Sequence, residues 1–114
     1  MSVQIINLRT KQPYDFRCDR QSPVGNPYIM HNESERDLVC EEYLMLFDQT
    51  MTDTSLNDND RAKGMWATVK EFRDYIHRIE QHYKQHGTVT LACWCSPKQC
   101  HCETIREWVL LNPW

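Results

Sequence analysis

Met65-Trp66-Ala67-Thr68-Val69-Lys70-Glu71-Phe72-Arg73-Asp74-Tyr75-Ile76-His77-Arg78-Ile79-Glu80-Gln81-His82-Tyr83-Lys84-Gln85-His86-Gly87-Thr88-Val89-Thr90-Leu91-Ala92-Cys93-Trp94 is the stretch on which the fold turns. Met65, Val69, Phe72, Ile76, Ile79 and Tyr83 step by four, three, four, three and four, which is one face of an amphipathic helix. Gly87 follows His86 where a helix C′ residue needs a left-handed backbone. Thr88 to Trp94 is then β-branched and apolar, the pattern of a strand. A helix feeding directly into a strand points to an α/β protein.

Upstream, Val3-Gln4-Ile5-Ile6-Asn7-Leu8 is almost continuously apolar, as expected of a central strand buried on both faces. Lys11-Gln12-Pro13 makes a turn. Tyr14, Phe16 and Cys18 alternate with Asp15, Arg17 and Asp19, a period of two that predicts a second strand forming a hairpin with the first. Gln21 to Pro27 is turn chemistry throughout. Asn32 or Ser34 can cap a helix from about Glu35 to Phe47, with Val39, Tyr43, Leu46 and Phe47 along one side and Cys40 and Leu44 beside them. Residues 49–62 are polar and read as a flexible insertion. His101 to Leu111 closes as a helix, with Ile105, Trp108 and Val109 facing inward.

The order β-β-α-α-β-α predicts a small single-domain α/β sandwich over residues 1–114. Helices separate the first hairpin from the third strand, which allows strands one and three to run parallel through a right-handed crossover. The expected sheet is short and mixed, with helices packed on it. It is Rossmann-like in opening at the carboxyl ends of its parallel strands.

Composition excludes several classes. Hydrophobic residues make up 40% of the 114 positions and charged residues 25%, the balance of a globular chain rather than a disordered one. A net charge of −3 lacks the basic stripe of a protein that coats nucleic acid, so no bulk nucleic-acid binding is expected. Met1-Ser2-Val3-Gln4 opens no secretory signal. No apolar run approaches the roughly 20 residues of a membrane span. Six cysteines in a secreted mini-protein would suggest disulfides, but here they cluster, and residues two apart on a strand do not bridge easily. The expectation is a reduced, cytoplasmic protein without membrane contact.

Leu91-Ala92-Cys93-Trp94-Cys95-Ser96-Pro97-Lys98-Gln99-Cys100-His101-Cys102 gathers four of the chain's six cysteines, with a histidine between the last two. Cys93 and Cys95 fall at the carboxyl end of the third strand, Pro97 fixes a turn, and Cys100-His101-Cys102 opens the last helix. A helix N-terminus favours an anion or a thiolate. Three uses compete. Cys93, Cys95, Cys100 and His101 supply four ligands for a zinc ion, although C-x-C-x4-C-H is not the usual knuckle spacing. Alternatively, Cys95 or Cys100 is a nucleophile with His101 as its base or orienting group, as part of a ligand pocket. Third, these are small core and capping residues.

Arg20-x-Ser22-Pro23-x-Gly25-Asn26-Pro27-Tyr28 forms the second cluster. Gly25 is free to take a positive φ, and Asn26-Pro27 forces an extended exit. N–H groups of such a turn can cradle a phosphate or carboxylate, and Arg20 offers a planar fork to the same anions. The structural alternative is a rigid turn with Arg20 paired to a surface acid. His77, His82 and His86 lie on the polar side of the long helix and read as solvated; His82 and His86 have the i, i+4 spacing of a metal pair, but nothing nearby completes a site, and His31, before a helix, reads as loop rather than ligand. The four tryptophans read as packing residues, since no basic residues interleave them. Cys18 and Cys40 read as buried thiols.

Together, the Arg20–Tyr28 motif and Leu91-x-Cys93-Trp94-Cys95-x-Pro97-x-x-Cys100-His101 resemble the domain of unknown function 4326, a family of short proteins frequent in phages and bacteria. Arg36 and Tyr43 fit the helix between the motifs. The resemblance covers most of the chain except residues 49–60. It implies a phage or prophage setting, hence a host cytoplasm, and names no reaction. The family's motif has glycine after the histidine where this chain has Cys102, which either narrows the pocket or adds a ligand.

The reading that joins both motifs is a protein that binds a small anionic, nucleotide-like ligand. Arg20, Gly25, Asn26 and Cys95 bind the ligand, and Cys100 and His101 are the candidate catalytic pair. No leaving group follows from the sequence, so an enzymatic role stays open. The alternative is a zinc-stabilised module that acts on a host protein.

Overall fold

Val89, Leu91, Ala92 and Cys93 are all buried, and a strand buried on both faces belongs in the middle of a sheet. In the computed structural model, which describes residues 2–28, 30–61, 65–94 and 100–111, that strand is central. The strands are Ser2–Asn7 (β1), Phe16–Arg17 (β2) and Thr88–Cys93 (β3), in the order β1-β3-β2. Both pairings are parallel. Ser2 lies opposite Thr88 and Asn7 opposite Cys93, while Phe16 and Arg17 lie opposite Leu91 and Ala92.

The α/β class and the element order are as the sequence indicates, but the sheet is parallel throughout rather than mixed. The expected hairpin does not form. Asn7 accepts a hydrogen bond from the Arg9 N–H and caps a 3-10 turn at Leu8–Thr10, which Lys11 ends with φ 56°. The chain then passes to the far side of β3, where the Asp15 N–H donates to the Thr90 carbonyl at 2.9 Å and the Cys18 N–H to the Ala92 carbonyl at 2.9 Å. β1 is therefore an edge strand, with Val3 buried and Gln4 exposed, and not the central one.

Three helices cover the sheet: Arg36–Thr52 (α1), Val69–His86 (α2) and Cys102–Leu111 (α3). Asn32 caps a 3-10 turn, Glu33–Glu35, that leads into α1. α1 continues beyond Phe47 to Thr52, into the stretch expected to be an insertion, because Thr50 is buried on the same face as Val39, Tyr43, Leu46 and Phe47. The residues after it fold back onto α2. Val69 and Lys70 donate their N–H groups to the Asp60 and Asp58 carbonyls, and Arg73 binds the Thr50 and Asp53 carbonyls.

α2 buries Val69, Phe72, Ile76, Ile79 and Tyr83, the stripe read from the sequence. Thr68 and Glu71 close a reciprocal capping box at its start, and Gly87, at φ 73°, ends it. Phe47 joins the three helices, meeting Phe72 edge-on at 5.6 Å and Trp108 at 5.5 Å. Because all three strands run the same way, their carboxyl ends, Asn7, Arg17 and Cys93, share one rim of the sheet. Loops leaving β2 and β3 must meet there.

Candidate functional site

Beyond that rim lies a cavity of about 500 Å³. Asp19, Arg20, Asn26 and Tyr28 line it from the loop after β2. Cys93, Trp94, Cys100 and His101 line it from the segment between β3 and α3, and Arg36, Val39 and Cys40 from α1. The two motifs therefore share one hollow. Cys95 and Pro97 lie outside the described residues, as does Trp114.

The loop is built around Asp19 and Arg20. Asp19 is 6% exposed yet carries a carboxylate, since Arg17 donates to both of its oxygens at 2.8 and 2.7 Å. Trp94 Nε1 adds a third donor at 2.9 Å, and the Arg17 guanidinium lies 6.0 Å from the Trp94 ring centre. Burial alone would raise the Asp19 carboxyl, but the hydrogen bonds from Arg17 and Trp94 outweigh it and hold it below its usual value. The sequence reading assigned Asp19 and Arg17 only to a strand. The signal for them was an Arg-x-Asp pair beside Arg20, visible only once Trp94 is known to be adjacent.

Arg20 spends its fork on the loop, with Nε donating to the Asn26 carbonyl at 3.1 Å and Nη2 to the Tyr28 carbonyl at 3.0 Å. The Trp66 indole N–H braces the same loop through the Arg20 carbonyl at 2.9 Å. Asn26 is a tie rather than a projecting donor. Its Nδ2 binds the Val39 carbonyl on α1 at 3.2 Å, and its Oδ1 accepts from the Tyr28 N–H at 2.9 Å. Gly25 stands behind the wall. Its need for glycine is not a positive φ, which among the described glycines only Gly87 has. A Cβ on Gly25 would lie 2.4 Å from the Asp19 carbonyl oxygen and 2.5 Å from the Arg20 Cα.

On the opposite wall His101 is 8% exposed and donates from Nε2 to the Cys18 carbonyl, with its ring 5.0 Å from that of Tyr43. Burial lowers its pKa, so the ring is neutral near pH 7. Tyr43 anchors α1 to the loop by donating to the Val24 carbonyl at 2.6 Å.

Cys100 faces other thiols. Its Sγ lies 3.1 Å from that of Cys93 and accepts the Cys102 N–H at 3.3 Å. The sulfurs of Cys93, Cys100 and Cys102 all lie within 4.8 Å of one another. Of the four zinc ligands named from sequence, Cys93 and Cys100 are together, His101 is turned to the Cys18 carbonyl, and Cys102 joins the thiols. The i, i+4 pair His82 and His86 lies apart from this site. Their rings are 4.5 Å apart, and His82 also approaches Asp15 at 3.4 Å.

The family described as Domain of unknown function (DUF4326) matches residues 5–111, from β1 to the end of α3. The chain belongs to the DUF4326 family. Comparison with curated proteins and with solved structures gave no match. The DUF4326 match spans both loops that wall the cavity and the helix between them.

Proposed function

We propose that the protein binds a small anionic, nucleotide-like molecule in the cavity at the carboxyl rim of its sheet. The observation that carries this reading is the state of Arg20. Among the described residues its guanidinium is held by two neutral carbonyls, so the hydrogen bonds fix its place without cancelling its charge. Asp19, the acid on the same wall, is neutralised by Arg17. Arg36 adds a second guanidinium, paired with the exposed Glu33. Trp94 and Tyr28 offer aromatic surface, and the volume suits a ligand of nucleotide size. Binding outside the carboxyl ends of parallel strands is the Rossmann-like mode. A phage or prophage setting, and a host cytoplasm, are carried by the family resemblance alone. Among the described residues no helix is long and apolar enough to cross a membrane.

The test is calorimetry with nucleoside mono-, di- and triphosphates and inorganic phosphate at low salt. Arg20→Gln and Arg36→Gln should each weaken binding by about tenfold or more, about 1.4 kcal/mol, and added salt should weaken it further. If none of these anions binds, or if both variants bind as the parent does, the reading is wrong. The other reading, a zinc-stabilised module docking on a host protein, is favoured by the exposed Leu38, Leu44 and Met45 on α1. Under it, Met45→Glu should abolish partner binding while leaving the cavity intact.

A further inference from the structure

We infer that Cys93, Cys100 and Cys102 form a binding site for a thiophilic divalent cation, taken here to be Zn²⁺, in the wall of the cavity. Three observations converge on it. The first is distance. Tetrahedral Zn–S bonds of about 2.3 Å hold sulfurs about 3.8 Å apart, and these three lie between 3.1 Å, the Cys93–Cys100 separation, and 4.8 Å. The closest pair is within about 0.7 Å of the tetrahedral value and no pair exceeds it by more than about 1 Å, so the three sulfurs are near enough to close on one ion.

The second is the backbone. The Cys102 N–H donates to the Cys100 sulfur at 3.3 Å. An N–H aimed at sulfur stabilises a thiolate more than a thiol, and metal ligands are typically oriented by such outer hydrogen bonds. The third is placement. Cys93 ends β3 and Cys102 begins α3, so two rigid elements hold the set. All three residues are buried, at 1, 4 and 0% exposure, and none projects to the surface as a casual thiol would.

Burial and mutual contact make the Cys100 and Cys102 thiols poor acids. Cys102's thiol acts to lower Cys100, but the Cys93 contact and burial outweigh it and push Cys100 up. Cys100 likewise leads the effects that raise Cys102, followed by Cys18, Cys93 and burial. A dication reverses this balance: three S–H protons pass to solvent, three S–Zn bonds form, and no oxidant or reductant is needed. Cys93 and Cys100 both line the cavity, so an ion held by the three thiols would lie in its wall. The set differs from the one read along the sequence in using Cys102 in place of His101, whose Nε2 is committed to the Cys18 carbonyl.

The experiment is metal analysis of reduced protein after gel filtration, alongside titration with Co²⁺ as a spectroscopic substitute. About one zinc per chain is expected, with a sulfur-to-cobalt charge-transfer band of three-thiolate intensity. Cys93→Ser and Cys102→Ser should lose both, and His86→Ala, in the histidine pair away from the cavity, should keep both. Should a core variant fail to fold, the Co²⁺ spectrum of the parent chain decides. Less than about 0.1 zinc per chain with no thiolate band overturns the inference. So does metal retained by both folded serine variants, or, in protein purified without reductant, a mass lower by two hydrogen atoms with a peptide map that joins Cys93 to Cys100 in a disulfide. The readout is metal content, so it is independent of whether any nucleotide binds.

Discussion

Asp19 holds a charge in a nearly closed position because Arg17, Trp94 and the Gln21 N–H surround it. Its lowered pKa makes it a source of stability that is present above the ordinary aspartate value of about 3.9 and is lost as pH falls through the lower folded value. Urea midpoints of the parent should fall from about pH 5 to about pH 3, and Asp19→Asn should flatten that part of the curve. Asp19→Asn should also cost stability near neutrality, because the partly buried Arg17 loses its counter-charge. Gly25 makes a sharper prediction. The atoms nearest a Cβ there are backbone, which cannot swing aside, so Gly25→Ala should destabilise by about 1–3 kcal/mol or more in urea unfolding. An unchanged midpoint would mean that the loop relaxes around the methyl. Gly25 lay in a motif noticed from sequence and Asp19 only in a strand beside it, and the reason for neither was legible there. A clash with a backbone six residues earlier and an indole 75 residues later are not local properties.

At the scale of elements, α2 was the most legible part of the chain. Its apolar stripe, its final glycine and its direct passage into β3 are all local signals, and helix periodicity needs no partner to be read. Its capping box ties the first turn, so Thr68→Ala should cost about 1 kcal/mol of unfolding free energy without altering the cavity. α1 was read five residues short because Asp48 to Thr52 is polar apart from Met51, and the buried Thr50 hides its hydroxyl by donating it to the Leu46 carbonyl. β1 and β2 were taken for a hairpin because adjacent strands usually pair. The deciding factor was the central place of β3. β3 carries the buried run Val89, Leu91, Ala92 and Cys93, so β1 and β2 pair with its two edges and not with each other.

For the molecule as a whole, β3 carries the assembly. Leu91 lies opposite Ile5 on one side and Phe16 on the other and is fully buried. Leu91→Ala should cost about 2–5 kcal/mol, a large share of the roughly 5–15 kcal/mol that stabilises a domain of this kind. The urea midpoint should drop with the slope unchanged, and circular dichroism should show one transition. Two transitions would mean that the helices stand apart from the sheet.

The sequence by itself determined the α/β class, the two longer strands, the registered face of α2 and the two segments worth attention, since each is written in local periodicity or residue spacing. Tertiary structure alone decided that the sheet is wholly parallel, that the two segments meet over one hollow, and which thiols converge. Those outcomes depend on side chains brought together across the full length of the chain. Pairing order and site geometry follow from what shares a rim of the sheet, and no window along the chain contains that.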